Sequence, residues 1–472
     1  MGVLFASCSP SAALRPCQVT SLDRQIAALA LPTLGTLAAD PLASLVDTAY
    51  IGHLGAVQLG GVGVALSVFG TATKLMNMPL LSVTTQIVAT AVGSNEGSTP
   101  LRKRRIIGLA ASSALFIAAL VGAVQLLLLL AAGEWALGCW GVPPESPLHA
   151  SALAFLRIKA IGAPASSLLL VSQGVFRGLG DARTPLAATL GCNALNLALD
   201  PLLIFAAGWG VAGAAQATVL AELLAAAWLL RALSKRCALR FAGRLALAQG
   251  LRFLGPTGLL MARTVAIGGT FALAASLAAR SDAAHAAAHQ ACLQVWLGTS
   301  LLSDSLAVAA QSLVARGLAA QQPATARAVV ARTAQLSGAL GFALLGGLGA
   351  CHGLLPRLFS SDPAVLAAAQ SIVPWVILSQ PVTSLAFTLD GVLYGVGGFA
   401  YAARTMGLCA APAVACMLLG GGLLSGGGTP TADAELAAVW AGLVTLMAAR
   451  ALAIAIPYWA RRPPFGRLFG DS

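Results

Sequence analysis

The chain has 472 residues, 58% of them hydrophobic and only 9% charged, with a mean hydropathy of +0.84. Soluble domains carry about 25% charged residues, so this composition excludes an ordinary water-soluble enzyme or binding module and places most of the surface against hydrocarbon. The formal net charge of +12 does not mark a nucleic-acid binder, because the basic residues stand in short runs between apolar stretches, the pattern of loops on one side of a membrane.

In chain order, the first twenty residues contain Ser and Arg but no acid, and residues 1–22 read as a disordered N-terminus or the remnant of a transit peptide. Apolar stretches of about 20 residues are long enough to cross a bilayer as helices. Six of them fill a first lobe, 23–233, at approximately 26–50, 61–92, 106–132, 151–177, 186–207 and 212–233. A basic linker over 234–250 follows. A second lobe, 251–460, holds six more at approximately 251–276, 286–316, 327–350, 367–394, 401–424 and 435–459, and 461–472 form a tail. Alternate loops hold Arg102 to Arg105, Arg183, Lys235, Arg236, Arg240, Arg244, Arg404, Arg461, Arg462 and Arg467. The other loops carry Glu134, Glu145, Asp282, Asp362, Asp433 and Glu435, which puts both termini on the cytoplasmic or stromal side.

An internal repeat runs through these segments. ALPTLGTLAADP around Pro32 recurs as LGPTGLLMARTV around Pro256, an offset of 224; QGVFRGLGD from Gln173 recurs as DGVLYGVGG from Asp390, an offset of 217; VTTQ ending at Gln86 recurs as VAAQ ending at Gln311, an offset of 225. Each half has an even number of spans, so the halves insert with the same orientation, as parallel repeats about an axis along the membrane normal. The expected fold class is an all-α polytopic membrane protein of twelve transmembrane helices in two six-helix lobes related by pseudo-twofold symmetry. Such duplication is common among secondary transporters that rock around a central site.

Ionisable residues inside spans are costly and face cavities or partners. Asp47 lies in segment one, fifteen residues after Pro32, which can kink that helix. Asn193, Asn196 and Asp200 share one face of segment five at i, i+3 and i+7, with Asn193 read as interhelical glue and Asp200 as functional. Thr218 and Glu222 form a second polar stripe in segment six. Lys74, Arg177 and Arg263 are cations in spans, suited to neutralising buried carboxylates or binding an anionic substrate, and Gln173, Asp390 and Tyr394 of the repeated fourth and tenth segments line the same expected cavity. The nine cysteines show no CxxC spacing, and Cys139, Cys192, Cys292, Cys409 and Cys416 read as packing residues in or beside apolar segments. The histidines show no HExxH and cluster only as His285 and His289, so no metal site is expected. No GxxxxGK[ST] loop is present, so ATP hydrolysis is not encoded and no cofactor is expected.

The run LPTLGTLAADPLASLVDTAYIGHLG resembles the first helix of multidrug and toxic compound extrusion (MATE) transporters of the DinF-like branch; NALNLALDP from Asn193, GVAGAAQATVLAE from Gly210 and LDGVLYGVG from Leu389 resemble its fifth, sixth and tenth helices. Asp40-Pro41, KLMNMPLLS from Lys74, QGVFRG from Gln173 and ACLQVWLGTSLLSDSLAVA from Ala291 look closest to plant and algal members, and the similarity runs from about residue 22 to about 460. The resemblance implies the MATE fold of the MOP superfamily, with two lobes around a V-shaped cavity. It places cation coupling on Asp47, Asn196, Asp200 and Thr218 and helix bending on Pro32. The helix-seven stretch GLLMARTVAIGG departs from the eukaryotic multidrug branch, with Arg263 and no acid, which argues against coupling by that route and against organic cations as cargo.

The implied activity is antiport, not enzymatic catalysis: export of a small-molecule substrate, an organic anion such as citrate or a phenolic acid, by alternating access coupled to H+ or Na+. Asp47 and Asp200 suit proton exchange, since desolvation and a neighbouring acid both raise a carboxylate pKa; with Asn196 and Thr218 they equally suit Na+, a hard cation that prefers oxygen. Substrate contacts are expected at Lys74, Gln173, Arg177, Arg263, Asp390 and Tyr394. A uniporter, a lipid-linked precursor flippase of the same superfamily and, in a different class, a membrane-embedded enzyme are the alternatives. The expected setting is a monomer in the lipid bilayer of the plasma membrane or the plastid envelope, with no nucleic-acid partner.

Overall fold

The computed structural model describes residues 21–239, 243–424 and 431–470. Most of the expected N-terminal segment 1–22, and Arg240 of the linker, lie outside the described residues. A chain surrounded by hydrocarbon must satisfy its backbone hydrogen bonds internally, and among the described residues there are helices and no strands.

Among the described residues, fourteen α-helices make ten single-helix spans and two bent pairs. In the first half these are α1 (Ser21–Gly52), α2 (Ala56–Gly93), α3 (Pro100–Cys139), α4 (His149–Ile161) with α5 (Ala163–Leu179), α6 (Arg183–Pro201) and α7 (Gly210–Arg236). The second half has α8 (Gly243–Ser281), α9 (Ala283–Ala319), α10 (Pro323–Ala350), α11 (Pro363–Leu378) with α12 (Gln380–Gly395), α13 (Phe399–Leu424) and α14 (Ala432–Trp459). Ten spans are single helices, while α4–α5 and α11–α12 are each one span bent by 54° and 52°. Helix ends follow local chemistry: Pro100, Pro323 and Pro363 occupy first turns, where a missing N–H costs nothing, and the Asp282, Asp362 and Thr431 side chains accept from backbone N–H groups at the starts of α9, α11 and α14. Helix occupies much of the stretch expected as a linker, because α7 continues to Arg236 and α8 begins at Gly243.

The repeat is visible in backbone packing. Both bends fall just before a proline, Pro164 and Pro381, which cannot donate to the preceding turn. A Cβ on Gly174 or Gly178 of α5 would stand 2.8 Å from the carbonyl oxygens of Leu81 and Thr85 in α2. A Cβ on Gly391 or Gly395 of α12 would meet the carbonyls of Ala307 and Gln311 in α9 at 2.1 and 2.9 Å. Small residues four apart thus let α5 lie on α2 and α12 on α9, the packing mode that membrane helices use where burial from water gives no drive.

Helices α1–α7 pack among themselves, as do α8–α14, and the halves meet through α1 and α2 against α9 and through α2 and α3 against α8. Hydrogen bonds that join the halves lie toward the end that carries the basic loops. Gln311 donates to the Ser82 carbonyl at 2.7 Å, Ser312 to that of Arg177 at 2.9 Å and Arg316 to that of Leu179 at 2.9 Å. Arg332 of α10 forms an ion pair with Asp23 of α1. The apolar core follows the same division: one cluster runs through both halves, while a second, around Val62, Phe69, Leu137 and Phe155, belongs to the first half alone. The lobes are joined at one end. The tail does not trail away: Phe465 and Leu468 are buried, and Arg327 of α10 donates to the Leu468 carbonyl.

Candidate functional site

Two polar networks occupy the lobes, with opposite charge character. In the first, α1 and α6 lie side by side, and Asp40 and Asp47 on α1 match the spacing of Asn193, Asn196 and Asp200 on α6. The Asn193 amide donates to Asp40 at 3.3 Å. One turn on, the Asn196 amide nitrogen donates both to Asp47 at 3.1 Å and to Asp200 at 3.0 Å. A single –NH2 group therefore holds two carboxylates in one place. Asn196 and Asp200 are buried, and one oxygen of each, Oδ1 in both cases, has no partner. Pro201 follows Asp200 directly and the chain widens into a π-helical turn over Leu202–Ala206, a distortion that recurs at functional sites.

The expected coupling set is thus brought together in three of its members. Thr218 is the exception: its hydroxyl donates to the Ala214 carbonyl of its own helix at 2.9 Å, the local bond that a helical threonine makes most readily. Glu222 likewise does not act as a stripe with Thr218. It accepts from Lys159 at 2.6 Å and from the Ser166 hydroxyl, a pairing that ties α7 to both arms of the bent α4–α5 span. Lys159 is buried and also sits over the Phe69 ring at 5.0 Å. Pro32 is accommodated inside an unbroken α1, and its carbonyl accepts from the Thr36 hydroxyl at 3.0 Å.

In the second lobe, Arg263 of α8, Asp390 and Tyr394 of α12 and Arg450 of α14 form one buried cluster. Arg263 donates Nη2 to Asp390 Oδ2 at 2.6 Å and Nη1 to the Tyr394 hydroxyl; Arg450 donates Nη2 to the same Asp390 oxygen. The Arg450 guanidinium lies 5.1 Å from the Phe387 ring centre and that of Arg263 lies 5.4 Å from the Tyr394 ring centre. Arg177 is buried on α5, and its carbonyl accepts from Ser312 of α9. It therefore stands where α5 of the first lobe meets α9 of the second.

Two expected substrate contacts sit elsewhere. Gln173 donates to Thr189 at 3.3 Å, joining α5 to α6 within the first lobe. Lys74 is exposed on α2, outside both networks as their hydrogen bonds define them. Sequence reasoning passed over Asp40, Lys159, Asp304 and Arg450 as functional groups. Every one is an ionisable residue inside an apolar span, and that signal alone singles them out. Among the described residues no three His, Cys, Asp or Glu side chains form a metal-binding group, and the five sequence-noted cysteines are free, with Cys139 exposed.

A family model described as MatE matches residues 32–202 and 261–417. The protein DETOXIFICATION 44, chloroplastic, of Arabidopsis thaliana is 38% identical over 453 residues, covering 96% of this chain and 85% of the relative. DNA damage-inducible protein F of Escherichia coli (strain K12) is 38% identical over 208 residues, 43% of this chain and 42% of the relative. The bent form of the Vibrio cholerae MATE transporter VcmN superposes with a TM-score of 0.83 at 21% identity, over 96% of this chain and 98% of that one. A MOP superfamily transporter from Pyrococcus furiosus gives 0.79 at 18% identity, over 95% and 97%. The structural likenesses speak for the fold, and the family match and the Arabidopsis relative for the lineage: the chain belongs to the MatE family, as a multi-pass membrane transporter and not an enzyme.

Proposed function

We propose that the protein is an antiporter that exports small organic anions, coupling their movement to H+ or Na+ entry through the first lobe. The observation that carries this reading is the separation of charge. The first lobe holds Asp40, Asp47, Asp200 and Glu222 against two buried cations, Lys159 and Arg177, whereas the second directs Arg263 and Arg450 at the single carboxylate of Asp390. Acids held together by one amide suit a cation, since two adjacent carboxylates repel unless a proton or metal ion sits between them. Paired guanidiniums suit a carboxylate, whose two oxygens match their fork. Substrate contacts fall to Arg177, Arg263 and Tyr394, with Asp390 as their counter-ion; Lys74 and Gln173 are peripheral to this grouping.

The lobes, joined at the basic-loop end, would alternate access by parting there and closing at the other. Export is supported by the names of relatives, among them DETOXIFICATION proteins and a probable multidrug resistance protein. A plastid envelope location is supported by the Arabidopsis relatives named chloroplastic, and a fluorescent fusion of the full chain would test it.

The functional test is flux of labelled citrate and of a labelled phenolic acid from proteoliposomes, with and without pH or Na+ gradients, for wild type, Asp47→Asn and Asp200→Asn. Gradient-driven flux in wild type, lost in both variants, is the expected result. Equal flux in all three would make these carboxylates structural and end the coupling model.

A further inference from the structure

The Asp390 cluster is unbalanced in a way that the proposed function does not by itself explain. Two guanidiniums converge on one carboxylate, and on one oxygen of it, Oδ2. Arg263 has a second oxygen partner in the Tyr394 hydroxyl. Arg450 does not. Its Nη1 faces the Met447 sulfur at 3.0 Å, a weak acceptor, and its Nε is buried with no partner, although the residue is only 5% exposed. A buried cation short of acceptors is costly, and Arg450 is retained here as the second of two guanidiniums on one carboxylate. The Phe387 ring lies against Arg450, and Tyr394, half-buried, stacks on Phe399 with ring centres 5.9 Å apart.

We propose that Arg450 is a second substrate-binding guanidinium and that Asp390 is an internal stand-in for the substrate carboxylate, which displaces it from one of the two arginines. This rests on the organic-anion reading above and narrows it to carboxylates with an aromatic body. In the empty protein Asp390 keeps both arginines partly satisfied. An arriving carboxylate takes Arg450 through Nε and Nη2, the fork that Asp390 uses only in part, while Asp390 stays on Arg263 Nη2 and the Arg263 Nη1 edge, with Tyr394, faces the rest of the substrate. Release is the reverse: Asp390 re-forms its second bond and expels the product, so binding is kept weak enough for turnover. The aromatic rings beside the two arginines give the cargo ring a surface on which to lie.

The test uses full-length protein in proteoliposomes, with 4-hydroxybenzoate as probe and uncharged 4-hydroxybenzamide as control. Binding is read by calorimetry and flux by initial rates. Asp390→Asn removes the competitor, so KM and Kd for 4-hydroxybenzoate are expected to fall about tenfold while kcat also falls, because product leaves more slowly. Arg450→Gln leaves a neutral Arg263–Asp390 pair, and Kd is expected to rise by tenfold or more. The double variant Asp390→Asn/Arg450→Gln frees Arg263 and is expected to bind within a few-fold of wild type, which guards against a trivial folding defect in either single variant. The benzamide is expected to bind to none of them. A Kd for Asp390→Asn that is unchanged or higher, or a double variant no better than Arg450→Gln, overturns the stand-in role even if wild type transports 4-hydroxybenzoate. A wild type that binds neither 4-hydroxybenzoate nor citrate overturns the organic-anion reading itself.

Discussion

Under the alternating access proposed above, the ion pair between Asp23 and Arg332 is the contact to break, because it joins α1 of one lobe to α10 of the other where the lobes meet. Arg332 donates Nε to Asp23 Oδ1 at 2.6 Å and Nη2 to Oδ2 at 3.0 Å, a two-point fork. Exposed ion pairs are worth about 0–1 kcal/mol, and hydrogen bonds to charged groups about 1.5–3 kcal/mol. With side chains 8% and 13% exposed, this pair falls between those limits. Asp23→Asn keeps one acceptor oxygen and loses the charge, so it should forfeit about 1–2 kcal/mol of the state joined at this end. That moves the ratio of conformers by about 5–30-fold. Spin labels at Glu145 and Ser361, exposed loop residues of the two lobes at the opposite end, would report the change by pulsed dipolar spectroscopy in a cysteine-free background. Asp23→Asn should add a population with shorter separation, and the swap Asp23→Arg/Arg332→Asp should remove it again. Identical distance distributions in wild type and Asp23→Asn would mean that the pair is not a latch.

Other expectations concern stability. Gly391→Ala places a methyl group 2.1 Å from the Ala307 carbonyl oxygen, a backbone atom that cannot rotate away, so α12 must lift off α9. The loss should be about 1–3 kcal/mol, seen as a lower melting temperature in detergent, whereas Gly407→Ala, where a Cβ meets nothing within 4 Å, should be neutral. Lys159→Met strands Glu222, and breaking a buried pair from one side costs about 3–5 kcal/mol; Glu222 is 18% exposed, so the lower figure applies. The double variant Lys159→Met/Glu222→Gln should recover most of the melting temperature, and a double variant as unstable as the single one would contradict the pairing. At the start of α9, the His285 backbone N–H and ring hold the exposed Asp282 carboxyl below its usual range. A depressed carboxylate pKa means stability that is present above the unfolded value and lost as pH falls through the folded one. The melting difference between wild type and Asp282→Ala should therefore be full near neutrality and shrink in acid.

Several features were legible without coordinates because their physical cause acts on a short stretch of chain. Hydrocarbon demands about 20 residues of charge-poor helix per crossing, and that demand is met segment by segment, so twelve spans and their order could be read directly. Duplication leaves near-constant offsets of 217 to 225 residues between matching motifs. The face shared by Asn196 and Asp200 follows from helical periodicity alone. Partner choice is different in kind. Lys159 meets Glu222 across 63 residues, Arg450 meets Asp390 across 60 and Asp47 meets Asn196 across 149. Each pairing depends on how helices rotate about their axes, and that rotation is set by close backbone approach at glycines such as Gly174 and Gly391. Thr218 shows the same limit from the other side. Its position on segment six was compatible with the cation site, but only the packed structure decides whether a helical hydroxyl turns to a neighbouring carboxylate or back to its own carbonyl at Ala214. Membrane solvation fixes where each helix lies along the chain; the interlocking of side chains between helices decides which buried charges face each other.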